Sequence, residues 1–250
     1  MLTAQVASEL ERLAERVSGS SSTVVLTGAG ISTESGLPDY RGANGLWRNR
    51  RFLELASIDT FHREPELVWD FYRERLSALL GAEPNAGHLA IAALEREGLV
   101  ERVLTQNVDG LHRRAGSPNP IELHGRLDEA ACLACGLRVP VGDVLEPSGV
   151  PRCPSCGAVL KPGVVMFGEL LDTGAMDDAH ELVAASDLLI CVGTSLQVYP
   201  VAQFAADAGA RGALAIVNDG ETGYDRAASF LVAARAGEAL GELHRALTAR

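Results

Sequence analysis

The residues best spaced for chemistry are four cysteines. Two residues lie between Cys132 and Cys135, two between Cys153 and Cys156, and seventeen separate the pairs. This spacing predicts a tetrahedral zinc site in which four thiolates saturate the ion and leave no position for water. The zinc would be structural. Gly136 and Gly157 follow the second cysteine of each pair, where a tight turn can aim backbone amides at sulfur. Two disulfides are the alternative. Cys191, in an apolar run, reads as a buried small hydrophobe.

The remaining candidates sit just past apolar runs. Gly28-Ala29-Gly30-Ile31-Ser32 follows TVVLT. Glycines there let a phosphate approach the backbone and a helix N-terminus attract it. Thr33 departs from the dinucleotide fingerprint, so a plain tight turn stays open. The loop from Gly36 to Gly42 carries Asp39, Tyr40 and Arg41, either folding over a bound phosphate or solvated. Gln106, Asn107 and Asp109 follow the run 100–105 and could hydrogen-bond a ribose or a carboxamide, or cap a helix. His124 ends the run 121–124; a lone histidine can be a satisfied structural residue, but this strand end makes it a candidate general base. Gly193-Thr194-Ser195 and Asn218-Asp219 follow two further runs and would extend a row of contacts for a long dinucleotide, or form ordinary turns. His88 and His112 read as structural.

The elements that must carry these residues alternate. Strand-like runs occupy 23–27, 100–105, 121–124, 164–168, 187–193, 213–218 and 230–234, with helical patterns at 85–97, 175–185, 200–209 and 236–248. Several runs are almost wholly apolar, as strands buried on both faces should be. The pattern predicts an α/β fold: a parallel sheet with helices on both faces. Two segments, 46–80 (helical, charge-rich) and 129–158 (cysteine-bearing), read as insertions. The N-terminal residues Leu2, Val6, Leu10, Leu13 and Val17 follow helical spacing and predict a packed amphipathic helix.

The chain has 250 residues and a formal net charge of -11. Phosphate-backbone binders carry basic surfaces, so no nucleic-acid partner is expected. No run of eighteen apolar residues occurs, so no membrane association is expected. A cytoplasmic monomer is the expectation, and five cysteines there favour metal or buried thiols over disulfides.

Taken in order, GAGIS, GLPDYRG, TQNVDGLH, ELHG, the paired cysteines, LKPGVVMFGE, VGTSLQVYP and VND resemble the sirtuin family of NAD-dependent protein deacylases, over residues 24 to 236. The resemblance implies a Rossmann-like NAD-binding domain (1–45, 81–128 and 159–250) and a small domain made of the helical module 46–80 and the zinc module 129–158. It implies His124 as the catalytic histidine, with Asn107 and Asp109 holding the nicotinamide end and its ribose and Gln106 nearby. It further implies that Gly28, Ala29, Gly30, Ser32, Asp39, Tyr40, Arg41, Trp47, Gly193, Thr194, Ser195, Asn218, Asp219 and Ala236 bind the cofactor. Val164, Val165, Phe167, Gly168 and Glu169 would line the segment on which an acylated-lysine protein or peptide pairs as an extra strand. The implied reaction transfers the acyl group from lysine to ADP-ribose, releasing nicotinamide and O-acyl-ADP-ribose.

Tyr72 and Arg75 lie three apart on one helix face, where a phenol and a guanidinium could bind a carboxylate together. A surface arginine beside a core tyrosine is the alternative. Tyr-x-x-Arg and Ala56 resemble the succinyl- and malonyl-removing members, whereas the loop Pro38-Asp39-Tyr40-Arg41 is closer to deacetylase types. The expected substrate is therefore succinyl- or malonyl-lysine, with acetyl-lysine possible. Plain deacetylation, protein ADP-ribosylation, a non-catalytic NAD sensor and a catalytic-zinc hydrolase are the competing readings.

Overall fold

β-branched and aliphatic residues with no polar interruption make the central strands, and each central strand is buried along its length. A computed structural model describes residues 2–42 and 45–249. In chain order it contains α1 (Ala4–Ser18), β1 (Thr23–Thr27), α2 (Arg50–Leu55), α3 (Ile58–Arg63), α4 (Pro65–Leu80), α5 (Ala86–Arg96), β2 (Arg102–Thr105), α6 (Leu111–Ala115), β3 (Ile121–Glu122), β4 (Gly125–Cys132), β5 (Arg138–Pro140), β6 (Leu160–Val164), α7 (Thr173–Ala185), β7 (Leu188–Val192), α8 (Gln203–Ala210), β8 (Leu214–Val217), β9 (Phe230–Val232) and α9 (Ala236–Thr248). Six strands form a parallel sheet in the order β3-β2-β1-β7-β8-β9, and β5-β4-β6 form a separate antiparallel sheet.

Helices cover both faces of the large sheet. On one face α1, α5 and α9 bury Leu10, Leu13, Ile91, Leu94, Leu240 and Leu243 against Val25, Val103 and Ile190. On the other, α7 and α8 bury Ala179, Val183, Phe204 and Ala205 against Leu26, Leu104, Leu189 and Ile216. Helix starts use side-chain oxygens: Asp172 accepts the Ala175 amide at 2.8 Å and Asn85 the Gly87 amide at 2.9 Å. Among the described residues no helix is long and apolar enough to cross a membrane.

A third core joins the two insertions. Phe61, Val68, Trp69, Tyr72 and Leu76 of α3 and α4 pack on Leu127, Ala130, Leu160 and Val164 of the antiparallel sheet. Trp69 Nε1 donates to Leu160 O at 2.7 Å, and Arg73 donates to Glu146 O at 3.0 Å and to Gly149 O. The helical insert and the cysteine-bearing sheet are thus one packed unit.

Three expectations change. The run 164–168 is not a strand of the parallel sheet. Residues 160–164 pair instead with β4, and from Val165 the chain is held by single bonds: Val165 N to His124 O at 2.8 Å, Phe167 N to Ala56 O at 2.8 Å and Ile58 N to Phe167 O at 3.0 Å. The run 121–124 pairs only through Glu122, because Gly125 turns away with φ 74°. A Cβ on Gly125 would lie 2.2 Å from Gly163 O, so that crossing needs glycine. Lastly, 29–35 forms a tight 3₁₀ turn rather than a regular helix.

The glycines after β1 also meet a constraint inside the protein. A Cβ on Gly30 would sit 2.7 Å from Gly193 O and 2.8 Å from its Cα. Gly30 N donates to Gly193 O at 2.7 Å, and Gly28 N to Val192 O at 3.0 Å. They let two loops touch backbone to backbone. Gly30→Ala should therefore lower folding stability by about 1–3 kcal/mol, the usual cost of overpacking. Urea unfolding checks this, and a midpoint equal to wild type would refute it.

Candidate active site

In an open parallel sheet a crevice forms where the strand order reverses, outside the carboxyl ends of the strands. Here the order reverses between β1 and β7. The loops after β1, β2, β3, β7, β8 and β9 surround this point, together with the segment 164–171 and part of the helical insert. They enclose one cleft of about 1250 Å³.

Almost every residue singled out in the sequence lines this cleft. From the strand ends come Gly28, Ala29, Gly30, Gln106, Asn107, His124, Gly193, Thr194, Ser195, Asn218, Asp219 and Ala236. The loop after the first turn brings Asp39, Tyr40, Arg41 and Trp47. The helical insert brings Ala56, Tyr72 and Arg75, and the 164–169 segment Val164, Val165, Phe167, Gly168 and Glu169. Ser32 and Asp109 do not line it. They sit behind the wall, where Ser32 Oγ donates to Asp109 Oδ2 at 2.7 Å. Asp109 also accepts the Leu111 amide at 2.9 Å, while the N-cap of α6 is Gly110, so its side chain closes the turn that leads into that helix.

His124 is held in one tautomer. Its Nδ1 lies 2.9 Å from Gln106 O, which only accepts, so Nδ1 carries the proton and Nε2 is left with a lone pair. Burial pushes its pKa below the ordinary 6.5, partly offset by this hydrogen bond, so the ring is neutral at pH 7. Asn107 Nδ2 donates to Gly28 O at 3.1 Å and to Ser32 Oγ at 3.2 Å, leaving its amide oxygen without a partner among the described residues. Gln106 Nε2 donates to Thr194 Oγ1 at 3.0 Å, which joins the loops after β2 and β7. Beneath them Thr27 Oγ1 meets His112 Nε2 at 2.9 Å, and the His88 and His112 rings lie 4.9 Å apart. Burial lowers His88 to about 4 and His112 to about 3, so both are neutral wall residues.

The insert side of the cleft is aromatic and cationic. The Arg41 guanidinium stacks 3.6 Å above the Trp47 ring, and Trp47 Nε1 is buried with no partner. Arg75 lies over Phe52 at 4.8 Å and donates weakly to Tyr40 OH at 3.4 Å. Among the described residues no carboxylate pairs with Arg75 within 4.0 Å, and nothing hydrogen-bonds the Tyr72 hydroxyl. Burial holds the Tyr72 phenol protonated, opposed in part by Arg75. Ala56 lines the same cleft.

Phe52, Met166, Tyr199 and Arg235 also line the cleft but were not singled out in the sequence. Phe52 lies in an insert with no repeating pattern. Arg235, directly before α9, offered one faint signal: a lone arginine between a strand and the next helix.

The fit to the implied groups rests on these atoms. A long cleft across six loop ends, an orphaned indole N–H and exposed amide and guanidinium donors suit NAD. The cysteines form a separate cluster, away from the cleft. Their sulfurs lie within 4.8 Å of one another, with Cys132–Cys156 at 3.5 Å and Cys135–Cys153 at 3.6 Å. A tetrahedron with Zn–S near 2.3 Å has edges of about 3.8 Å. Amides of Ala134 and Cys135 face the Cys132 sulfur, that of Leu137 faces Cys135, and that of Ala158 faces Cys156. These residues fit a structural zinc.

The family model described as Sir2 family matches residues 28–200. The NAD-dependent protein deacetylase 1 of Pyrobaculum aerophilum is 45% identical over 238 residues, covering 94% of this chain and 93% of its own. The NAD-dependent protein deacylase of Thermococcus kodakarensis is 44% identical over 229 residues, covering 89% of each. The fold matches a Sir2 homologue–NAD complex with TM-score 0.90 and 40% identity, covering 96% of this chain and 94% of that one. It also matches a Sir2–p53 peptide–NAD complex with TM-score 0.83 and 39% identity, covering 92% and 95%.

Chelation should release one zinc per chain. Amides of the three-stranded sheet and of α4 should then lose protection while β1, β2, β7 and β8 keep theirs. Hydrogen exchange with metal analysis measures this. Unchanged protection after complete zinc loss would refute the structural role.

Proposed function

This chain belongs to the Sir2 family, and on that premise we infer that it is an NAD-dependent protein-lysine deacylase whose acyl pocket accepts acidic groups such as succinyl and malonyl. The observation that carries the acyl preference is Arg75: a guanidinium lining the cleft, without a carboxylate partner among the described residues, beside the protonated Tyr72 hydroxyl and small Ala56. A fork of N–H donors whose one internal acceptor is a weakly bonded hydroxyl favours a ligand carboxylate.

NAD, when bound, would supply the ribose carbon that nicotinamide leaves and the acyl oxygen attacks, and the ribose hydroxyl that finally carries the acyl group. His124 Nε2 takes a proton from a ribose hydroxyl, since its Nδ1 proton is committed to Gln106 O. Asn107 offers its free amide oxygen to the nicotinamide end. Asp109 acts through Ser32, which it fixes against Asn107. The segment 164–169 carries the peptide as an added strand, with the acyl-lysine reaching inward between Phe167 and His124. We assign 46–80 and 129–158 to the small domain and the rest to the NAD-binding domain. The shared core of the two insertions supports this. Acetyl-lysine fits the same apolar lining without engaging Arg75, and the relative from Pyrobaculum aerophilum is named a deacetylase.

The deciding experiment is a panel of acetyl-, malonyl-, succinyl- and glutaryl-lysine peptides with NAD, comparing kcat/KM. Arg75→Met should cut activity on succinyl-lysine by on the order of a hundredfold, because an unpaired buried charge costs roughly 3–5 kcal/mol. Acetyl-lysine activity should change far less, and equal losses would sink the acidic-pocket reading. His124→Ala should abolish turnover while NAD still binds by calorimetry. The wild-type pH profile should carry an acid limb with its midpoint below the ordinary histidine value of 6.5, since activity is lost only as His124 gains a proton. A midpoint above that value would contradict the base assignment.

A further inference from the structure

The chain contains a single lysine, Lys161, among 22 lysines and arginines. It is 6% exposed and lies on β6. Such a residue is rarely buried without a defined partner set. Its ammonium donates to Pro162 O at 2.9 Å and Val164 O at 2.5 Å, and meets Glu169 Oε2 at 3.1 Å. The same Glu169 oxygen accepts the Met166 amide at 2.8 Å. Burial lowers the lysine's pKa from 10.5, and Glu169 opposes that shift.

From 162 to 167 successive residues point their polar groups to opposite sides; the chain then turns, with Gly168 at φ 93° and the Glu169 amide on Met166 O at 3.0 Å. Lys161 and Glu169 engage residues 162, 164 and 166 on one edge. On the other, the Val165 amide goes to His124 O, and Phe167 is bonded through both its amide and its carbonyl to Ala56 and Ile58. Among the described residues this leaves the Val165 carbonyl and both polar groups of Gly168 without partners. They are the groups an incoming strand can use.

We propose that Lys161 and Glu169 are positioning residues whose buried ion pair shapes the 162–169 segment so that the Val165 carbonyl and the Gly168 backbone are presented to the substrate peptide. Lysine suits the place because a compact ammonium serves three oxygens around one point. Its burial also withholds the chain's only ε-amine from acylation. The inference rests on the reading that the peptide pairs along this segment.

The test uses the full-length zinc- and NAD-loaded enzyme with one acylated peptide. Lys161→Met and Glu169→Gln should each raise the peptide KM about tenfold with kcat and the NAD KM within about twofold, the signature of lost peptide binding alone. Lys161→Arg should restore most of the affinity. The double variant should match the worse single, because both act through one pair. It should also recover thermal stability relative to Lys161→Met, because no lone charge stays buried. An unchanged peptide KM in Lys161→Met, or additive effects in the double variant, would overturn the proposal. Hydrogen exchange on the wild type tests the underlying reading separately. Peptide binding should protect Gly168; if it does not, the strand-pairing reading fails whatever the variants do.

Discussion

The closest backbone contact in the site is the one between Gly30 and Gly193, and the crevice depends on it. With a 2.7 Å hydrogen bond and no room for a Cβ, the loops after β1 and β7 run against each other at the point where the sheet order reverses. The two loops then diverge, and their divergence opens the floor of the cleft. Gln106 bridges the neighbouring loop to Thr194 at 3.0 Å, so three strand ends share one rigid base. Any larger residue at either glycine would force these ends apart and move every group mounted on them.

The second constraint is how the small unit is moored. Gly125 and Gly163 let β4 and β6 cross directly beyond His124, and the Val165 amide is bonded to His124 O. The proposed base and the segment that faces it are therefore neighbours through the backbone rather than through flexible side chains. On the far side, Phe167 is pinned to Ala56 and Ile58. The zinc cluster is remote from the cleft, yet it stabilises the sheet on which β6 depends. Trp69 and Arg73 carry that support into α4, the helix bearing Tyr72 and Arg75. The four-thiolate cluster lies apart from the cleft, while the neutral imidazole of His124 and the Arg75 guanidinium line it.

Burial sorts the titratable groups by role. His88 and His112 are neutral in the wall, where desolvation outweighs every other influence. His124 is neutral as well, but a backbone carbonyl orients it and its second nitrogen is left unbonded. Arg75 is screened by aromatic rings instead of a carboxylate. Lys161 has the opposite arrangement, with all its donors satisfied inside the protein.

Much of this was legible in the sequence because it depends on local chemistry. Cysteine spacing specified a closed tetrahedral metal site, since ligand geometry allows few separations. Continuous apolar runs specified buried parallel strands, and strand ends located His124, Asn107 and Asn218 without any knowledge of partners. What the sequence could not determine by itself depended on contacts between distant segments. Residues 164–168 look like one more buried strand, and only pairing with β4 places their start in a different sheet. Asp109 and Ser32 look like ligand contacts, and only packing puts them behind the wall. The glycines after β1 look like phosphate contacts, and the approach of Gly193, visible only in the fold, adds a second reason for their size. Tyr72 and Arg75 share a helix face by spacing alone, but whether that face meets a cleft or solvent was decided by how the helical insert docks on the zinc-bearing sheet.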